Sequence, residues 1–211
     1  MGRDTTNAIE KAHAQVCLGT FGWLVRNWVI LAQAGENIQG IAKDHNLPYY
    51  KGLGATYLGC ALTELGDVAK GLSLLESGTH ALRASYVRLN YIIYLFMHAS
   101  AYRKASRFEE AIDAVDQALC LVEESSEKLD ETEINRLKAE LVLARDPGAY
   151  AEAETIFLKV LQLAHDKGDR LFELRTATSL ARLRSTQGRY REALSLLAPL
   201  YAGLSHMTQQ L

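Results

Sequence analysis

The chain has 211 residues, 23 Lys and Arg against 25 Asp and Glu, a formal net charge of −2, and 48% hydrophobic residues. Near-neutrality with both signs interspersed argues against the clustered basic footprint of a nucleic-acid-binding domain, so no nucleic acid is expected as a partner. Three widely spaced cysteines (Cys17, Cys60, Cys120) argue against a disulfide framework or zinc site, and no signal-like leader or membrane-length apolar run (~20 residues) is present, which reads as a cytoplasmic chain without membrane contact.

With only three prolines, Pro48, Pro147 and Pro199, and abundant Ala, Leu and Glu, helix is predicted throughout. Residues 1–12 form a polar lead-in or a frayed helix start. The run His13 to Ala34 carries large apolar residues around most of its circumference, which predicts one helix covered on more than one face. A short amphipathic helix, Glu36 to Asn46, ends at Asn46 and Pro48.

Clearer pairs follow. Tyr49 to Leu65 places Leu53, Tyr57, Leu58, Ala61 and Leu65 at helical spacing, and Gly66-Asp67 ends it and caps a helix from Val68 to Arg83. Gly71 and Gly78 should weaken that helix by about 1 kcal/mol each relative to Ala. The third pair is Val87 to Lys104 and Arg107 to Glu124, with Ser106 at the turn. Glu123 to Glu133 is a charged connector, and Glu131 to Ala144 and Ala149 to His165 form a fourth pair around Asp146-Pro147-Gly148. The fifth, Leu171 to Gly203, turns at Gly188 and is the most regular; Ser205 to Leu211 is a frayed polar tail.

Aligned on their turns, Gly66, Ser106, Asp146 and Gly188 stand 40, 40 and 42 residues apart, the signature of a helical repeat array. The second helices open alike, as in Arg107-Phe108-Glu109-Glu110-Ala111 and Arg189-Tyr190-Arg191-Glu192-Ala193. The small residue permits a close crossing, and the aromatic is expected to plug the groove end.

The phrases GRYREALSLLAPLYAG, SRFEEAIDAVDQAL and LGCALTELGDVAKGLSLL resemble tetratricopeptide repeats (TPRs) of a longer, forty-residue variety. The order of phrases over residues 14–204 also resembles the C-terminal repeat region of bacterial regulators that join a class III adenylate or guanylate cyclase domain, an ATPase module and a TPR tail. The resemblance implies an all-α, right-handed α-solenoid of about five helix pairs, a single domain over 13–204, and a protein or peptide partner such as a cyclase or ATPase signalling component. Cyclase or ATPase activity does not carry over, because the catalytic domain and a GxxxxGK[ST] loop are missing from this sequence.

No residue constellation points to chemistry. The six histidines, His13, His45, His80, His98, His165 and His206, lack metal-ligand spacing, and Gly52-Leu53-Gly54 reads as a site of close helix packing. No cofactor or metal is expected. The aromatics Tyr86, Tyr91, Tyr94, Phe96 and Tyr102 on one first helix are groove candidates or, alternatively, packing between units. Mixed charges on first helices, Glu64, Arg103, Lys104, Arg136, Glu140 and Arg182, suit an acidic segment or a carboxylate. Trp23 and Trp28 are placed to cover an exposed end of the array or to meet a partner. The expected function is a non-enzymatic interaction module whose concave groove binds a peptide or partner protein in bacterial signalling; the other reading is a regulatory domain whose groove senses a small effector.

Overall fold

The structure, a computed structural model, describes the backbone of residues 2–84, 91–124 and 131–208, with side chains over 5–82, 91–124 and 131–202. Tyr86, the expected helix start at Val87, the middle of the charged connector, the side chains of the tail from Ser205 on, His206 included, and the backbone of 209–211 lie outside those residues. The described residues form ten α-helices and no strand: α1 (Gly2–Leu24), α2 (Trp28–Asp44), α3 (Pro48–Leu65), α4 (Val68–Ala84), α5 (Tyr91–Lys104), α6 (Phe108–Glu124), α7 (Glu131–Arg145), α8 (Tyr150–Asp166), α9 (Arg170–Thr186) and α10 (Tyr190–Thr208). They fall into five pairs and two compact units, residues 1–114 and 115–211.

Helix ends explain the period. Within pairs, Arg26, Gly66, Ser106 and Gly188 take φ of 57°, 106°, 59° and 75°, and between pairs Asn46 and Gly168 take 51° and 67°. After each left-handed residue the next N–H closes back onto the helix: Asn27 to Gly22 O, Leu47 to Ala42 O, Asp67 to Leu62 O, Arg107 to Tyr102 O, Asp169 to Ala164 O and Arg189 to Arg184 O, at 2.7–2.9 Å. This closure satisfies carbonyls that a helix end otherwise leaves bare. The fourth pair substitutes a tight turn, in which Gly148 N–H donates to Asp146 Oδ1 at 2.8 Å.

The first pair corrects the sequence reading. His13 to Ala34 is two helices, broken at Val25-Arg26-Asn27, where Asn27 Oδ1 accepts from Ile30 N–H at 3.1 Å. Two inner faces, superposed on one helical wheel, had read as apolar all round. Arg26 stands 40 residues before Gly66, so the first pair keeps the period without a glycine at its turn. The polar lead-in is the first part of α1, with Ala8 and Ala12 buried against the unit.

Unit 1 is assembled around glycines. A Cβ on Gly59 would stand 2.6 Å from Gly71 O, one on Gly71 2.7 Å from Gly59 O, and one on Gly78 2.7 Å from Gly52 O. α3 and α4 therefore touch backbone to backbone over these antiparallel pairs, and Gly35 meets Gly54 O and Leu58 N of α3 in the same way. The glycines of α4 are helix-weakening residues retained because no side chain fits. Gly52-Leu53-Gly54 lies inside α3, as expected for close packing. In unit 2 the core is made of larger side chains, with Phe157, Leu180, Leu183 and Val142 around Ala139 and Ala153.

At Tyr150 and Tyr190 the aromatic that opens a second helix is not a plug, while Phe108 is half-buried. Tyr150 and Tyr190 are 39% and 69% exposed, whereas the small Ala111, Ala153 and Ala193 are buried as the close crossing requires.

First-helix faces as the candidate interaction site

In unit 1 the sequence candidates lie on α5, with Glu64 on α3, and the structure divides them. Tyr94 and Phe96 are buried, 1% and 7% exposed, so neither ring is available to a partner. Phe96 meets Trp23 edge-on, with centroids 5.4 Å apart, which buries Trp23 in the unit instead of leaving it as an end cover. The reason is periodicity: a short helix that is apolar on nearly every side is enclosed on nearly every side. Tyr91, Arg103 and Trp28 are half-buried.

Lys104 is tied to the preceding first helix. Its Nζ stands 3.0 Å from Glu64 Oε2, and Ser100 Oγ donates to Glu64 Oε1 at 3.0 Å. Nearby, Tyr102 Oη and Arg107 Nη1 both donate to Glu76 Oε1, and the Arg107 guanidinium covers the Tyr102 ring at 4.5 Å. Burial, with Glu76 beside it, raises the Tyr102 phenol above its ordinary value. His98 is buried too, its Nε2 2.6 Å from Thr79 Oγ1 and 3.2 Å from Leu75 O.

In unit 2, Arg136 lies 5% exposed, at the centre of a network that joins α7 to α9. Its Nε and Nη2 donate to both oxygens of Glu133 at 3.1 Å, and its Nη1 donates to Glu140 and, at 3.3 Å, to Ser179 Oγ. Ser179 Oγ donates in turn to Glu140 at 3.0 Å, and Arg175 of α9 stands 3.6 Å from Glu133. Burial alone would depress the guanidinium of Arg136, but Glu140 and Glu133 outweigh it and hold the group above its ordinary value. Arg136 is therefore a structural cation, not a contact for a partner, and half-buried Glu140 is spent in the same network. Arg182 is the exposed one of the three unit 2 candidates.

Glu133, Ser179 and Arg175 were absent from the sequence candidates. Their signal was the i, i+3 and i, i+4 spacing of Glu133, Arg136 and Glu140 on one helix. A second network, also unforeseen, joins Glu154 of α8 to Arg184 at 2.9 Å and to Arg189, which also donates to Glu192. Hydrogen bonds from Arg189 hold the Glu154 carboxyl below its ordinary value against the opposing effect of burial, with Arg184 reinforcing them.

Beyond these contacts α9 carries one row exposed at its two ends, with half-buried Arg175 and Thr178 between them. Leu171, Arg175, Thr178 and Arg182 follow at i, i+4, i+7 and i+11, with Leu171 44% exposed and Arg182 exposed. The row is apolar at one end and cationic at the other. Among the described residues no group of three or more His, Cys, Asp or Glu is placed to hold a metal, and no helix is long and apolar enough to cross a membrane.

No protein-family model and no curated protein sequence matches the chain. Among solved structures it is similar to a kinesin light chain-like protein of Podosopora anserina with nearly identical TPR-like repeats. A single-substitution variant of that protein superimposes with a TM-score of 0.61 at 20% identity, covering 98% of each chain. A second structure from the same source gives 0.59 at 19% identity, covering 96% of this chain and 97% of the other. The fold is therefore all-α and built of TPR-like helix pairs. Its structural neighbours are repeat proteins.

Proposed function

We propose that the chain is a non-enzymatic interaction module whose first-helix faces bind a peptide or partner protein. The observation that carries this reading is the network of Arg136, Glu133, Glu140 and Ser179, which fixes α7 against α9 and so presents the exposed Leu171 and Arg182 of α9 on a rigid base. A preorganised surface loses little entropy when it binds, and stacked repeats use their first helices in this manner. The exposed Arg182, two turns from Arg175, favours an acidic segment with an apolar residue to meet Leu171. The sequence likeness to the repeat tails of cyclase and ATPase regulators supports a bacterial signalling setting, with such a component as the partner, and a cytoplasmic one.

Selection of displayed peptides on the full chain tests the reading. Acidic sequences with an apolar anchor should be enriched, and Arg182→Glu should weaken them at least about tenfold, the loss of one charge-assisted contact of about 1.4 kcal/mol. Enrichment of peptides indifferent to Arg182→Glu and Leu171→Ala would remove α9 from the site.

A further inference from the structure

In a stack of helical repeats each unit touches only its immediate neighbours. Trp23 and Phe96 break that rule within unit 1. Trp23 stands near the end of α1, in the first pair, and Phe96 lies on α5, in the third; their rings meet edge-on at 87° with centroids 5.4 Å apart. The contact skips the second pair.

The first helix of that second pair, α3, is bonded to both neighbours. The hydroxyls of Thr20 on α1 and Tyr57 on α3 share a hydrogen bond of 2.9 Å, and Glu64 of α3 holds Ser100 and Lys104 of α5. The side of α3 on which the two rings meet follows from what fills the rest of it. α2 comes to backbone distance where Gly35 faces Gly54 and Leu58, and α4 does so where Gly71 faces Gly59 and Gly78 faces Gly52. These second helices occupy one side of α3, so the rings close over the other, where stacked first helices form their binding groove.

Two further features fit a closed groove. Gly52, Gly54, Ala55, Gly59 and Ala61 are all buried on α3, and a helix of such small side chains is slim enough for rings on its two neighbours to touch across it. Trp23 and Phe96 are themselves buried, which rings standing in an open groove would not be. Aromatic rings of this size remove a large apolar area from water, and edge-on contact adds to it.

We propose that Trp23 and Phe96 form a clasp that closes the first-helix groove of unit 1 across α3, locks the first pair to the third, and excludes a partner peptide from that groove. The exclusion rests on the function proposed above; the closure and the lock do not.

The full chain with Trp28→Phe tests the closure, because Trp23 is then the sole tryptophan. Acrylamide should reach its ring only through local opening, and Phe96→Leu in that background should raise the quenching constant several-fold. Quenching already as fast as that of N-acetyltryptophanamide, or no rise with Phe96→Leu, would overturn it. For the lock, Trp23→Leu, Phe96→Leu and the double variant are compared in urea by fluorescence, to which Trp28 contributes in all of them. Direct contact predicts a double variant more stable than independent losses imply, by about threefold or more in the unfolding constant, whereas smaller coupling is the additivity of separate sites and sinks the lock. Peptides selected on the full chain should bind the Trp28→Phe protein without changing the emission of Trp23. A selected peptide that unshields Trp23 would place the partner in the groove of unit 1 and refute the exclusion. Selecting no peptide at all counts against the function proposed above, while the clasp stands or falls on quenching and coupling.

Discussion

The two units solve one problem, holding neighbouring helices together every forty residues, by opposite means. Residues 1–114 bring backbones into contact by removing side chains, at Gly35 with Gly54, Gly52 with Gly78 and Gly59 with Gly71. Residues 115–211 keep larger side chains and cross-link helices through buried and half-buried charge, at Arg136 with Glu133 and Glu140 and at Glu154 with Arg184 and Arg189. The difference teaches that a repeat period constrains where helices turn, not what lies between them. The first solution is sensitive to one added methyl group; the second is sensitive to one missing charge and to pH.

Both tryptophans, Trp23 and Trp28, lie in unit 1, so fluorescence follows that unit while circular dichroism follows both. The largest expected effect is Arg136→Met, which leaves Glu133 buried without its bidentate partner. A loss of about 3–5 kcal/mol is expected, seen in urea unfolding followed by circular dichroism. A loss under about 1 kcal/mol would show that the network is not what holds α7 to α9.

Next comes Gly59→Ala, whose Cβ would press on Gly71 O and on Leu75 N at 2.7 Å, both backbone atoms that cannot swing aside. Overpacking should cost about 1–3 kcal/mol and shift the fluorescence transition, outweighing the helix-propensity gain of about 1 kcal/mol. Gly40→Ala is the control: nothing lies within 4 Å of its Cβ, so only the propensity gain remains. Stabilisation by Gly59→Ala would break the contrast between the units.

The smallest effects are those of pH, and they should fall on opposite sides of neutrality. Glu154 is depressed in the folded state, so its contribution is present above the ordinary carboxyl value of 4.5 and is lost as pH falls through the folded value. Acid should therefore lower the urea midpoint by circular dichroism, and Glu154→Gln should flatten that dependence. Tyr57, buried in unit 1, is pushed up from 10.0 to about 12, mainly by burial, while its hydrogen bond with Thr20 works the other way. The folded state then holds a proton that the unfolded state releases, so the fluorescence-detected stability should fall as pH rises from 10 toward 12. Tyr57→Phe should remove that alkaline slope; an unchanged slope would place its origin elsewhere.

Much of the fold was legible because turns obey local rules. Gly66, Ser106, Asp146 and Gly188 mark the turns of four pairs, and the second helices begin where Val68, Phe108, Tyr150 and Tyr190 open their phrases. The first turn was illegible because Arg26 adopts a left-handed conformation that its residue type does not advertise, amid apolar residues belonging to two helices. The candidate site was less legible still. Tyr94 and Phe96 carry the composition of a binding surface yet are core, and Arg136 carries the charge of a ligand contact yet is enclosed by carboxylates.

The sequence by itself determined the helical class, the period and most helix ends, since these follow from the preferences of residues close together along the chain. Only the tertiary structure decided which glycines are demanded by a neighbouring backbone, which charges are buried in pairs, and which aromatic rings face solvent. Those outcomes depend on residues 12 to 43 positions apart meeting across a helix junction, as Gly59 meets Gly71 and Arg136 meets Ser179. No local propensity encodes such a meeting, because desolvation and close contact arise only once the second helix is in place.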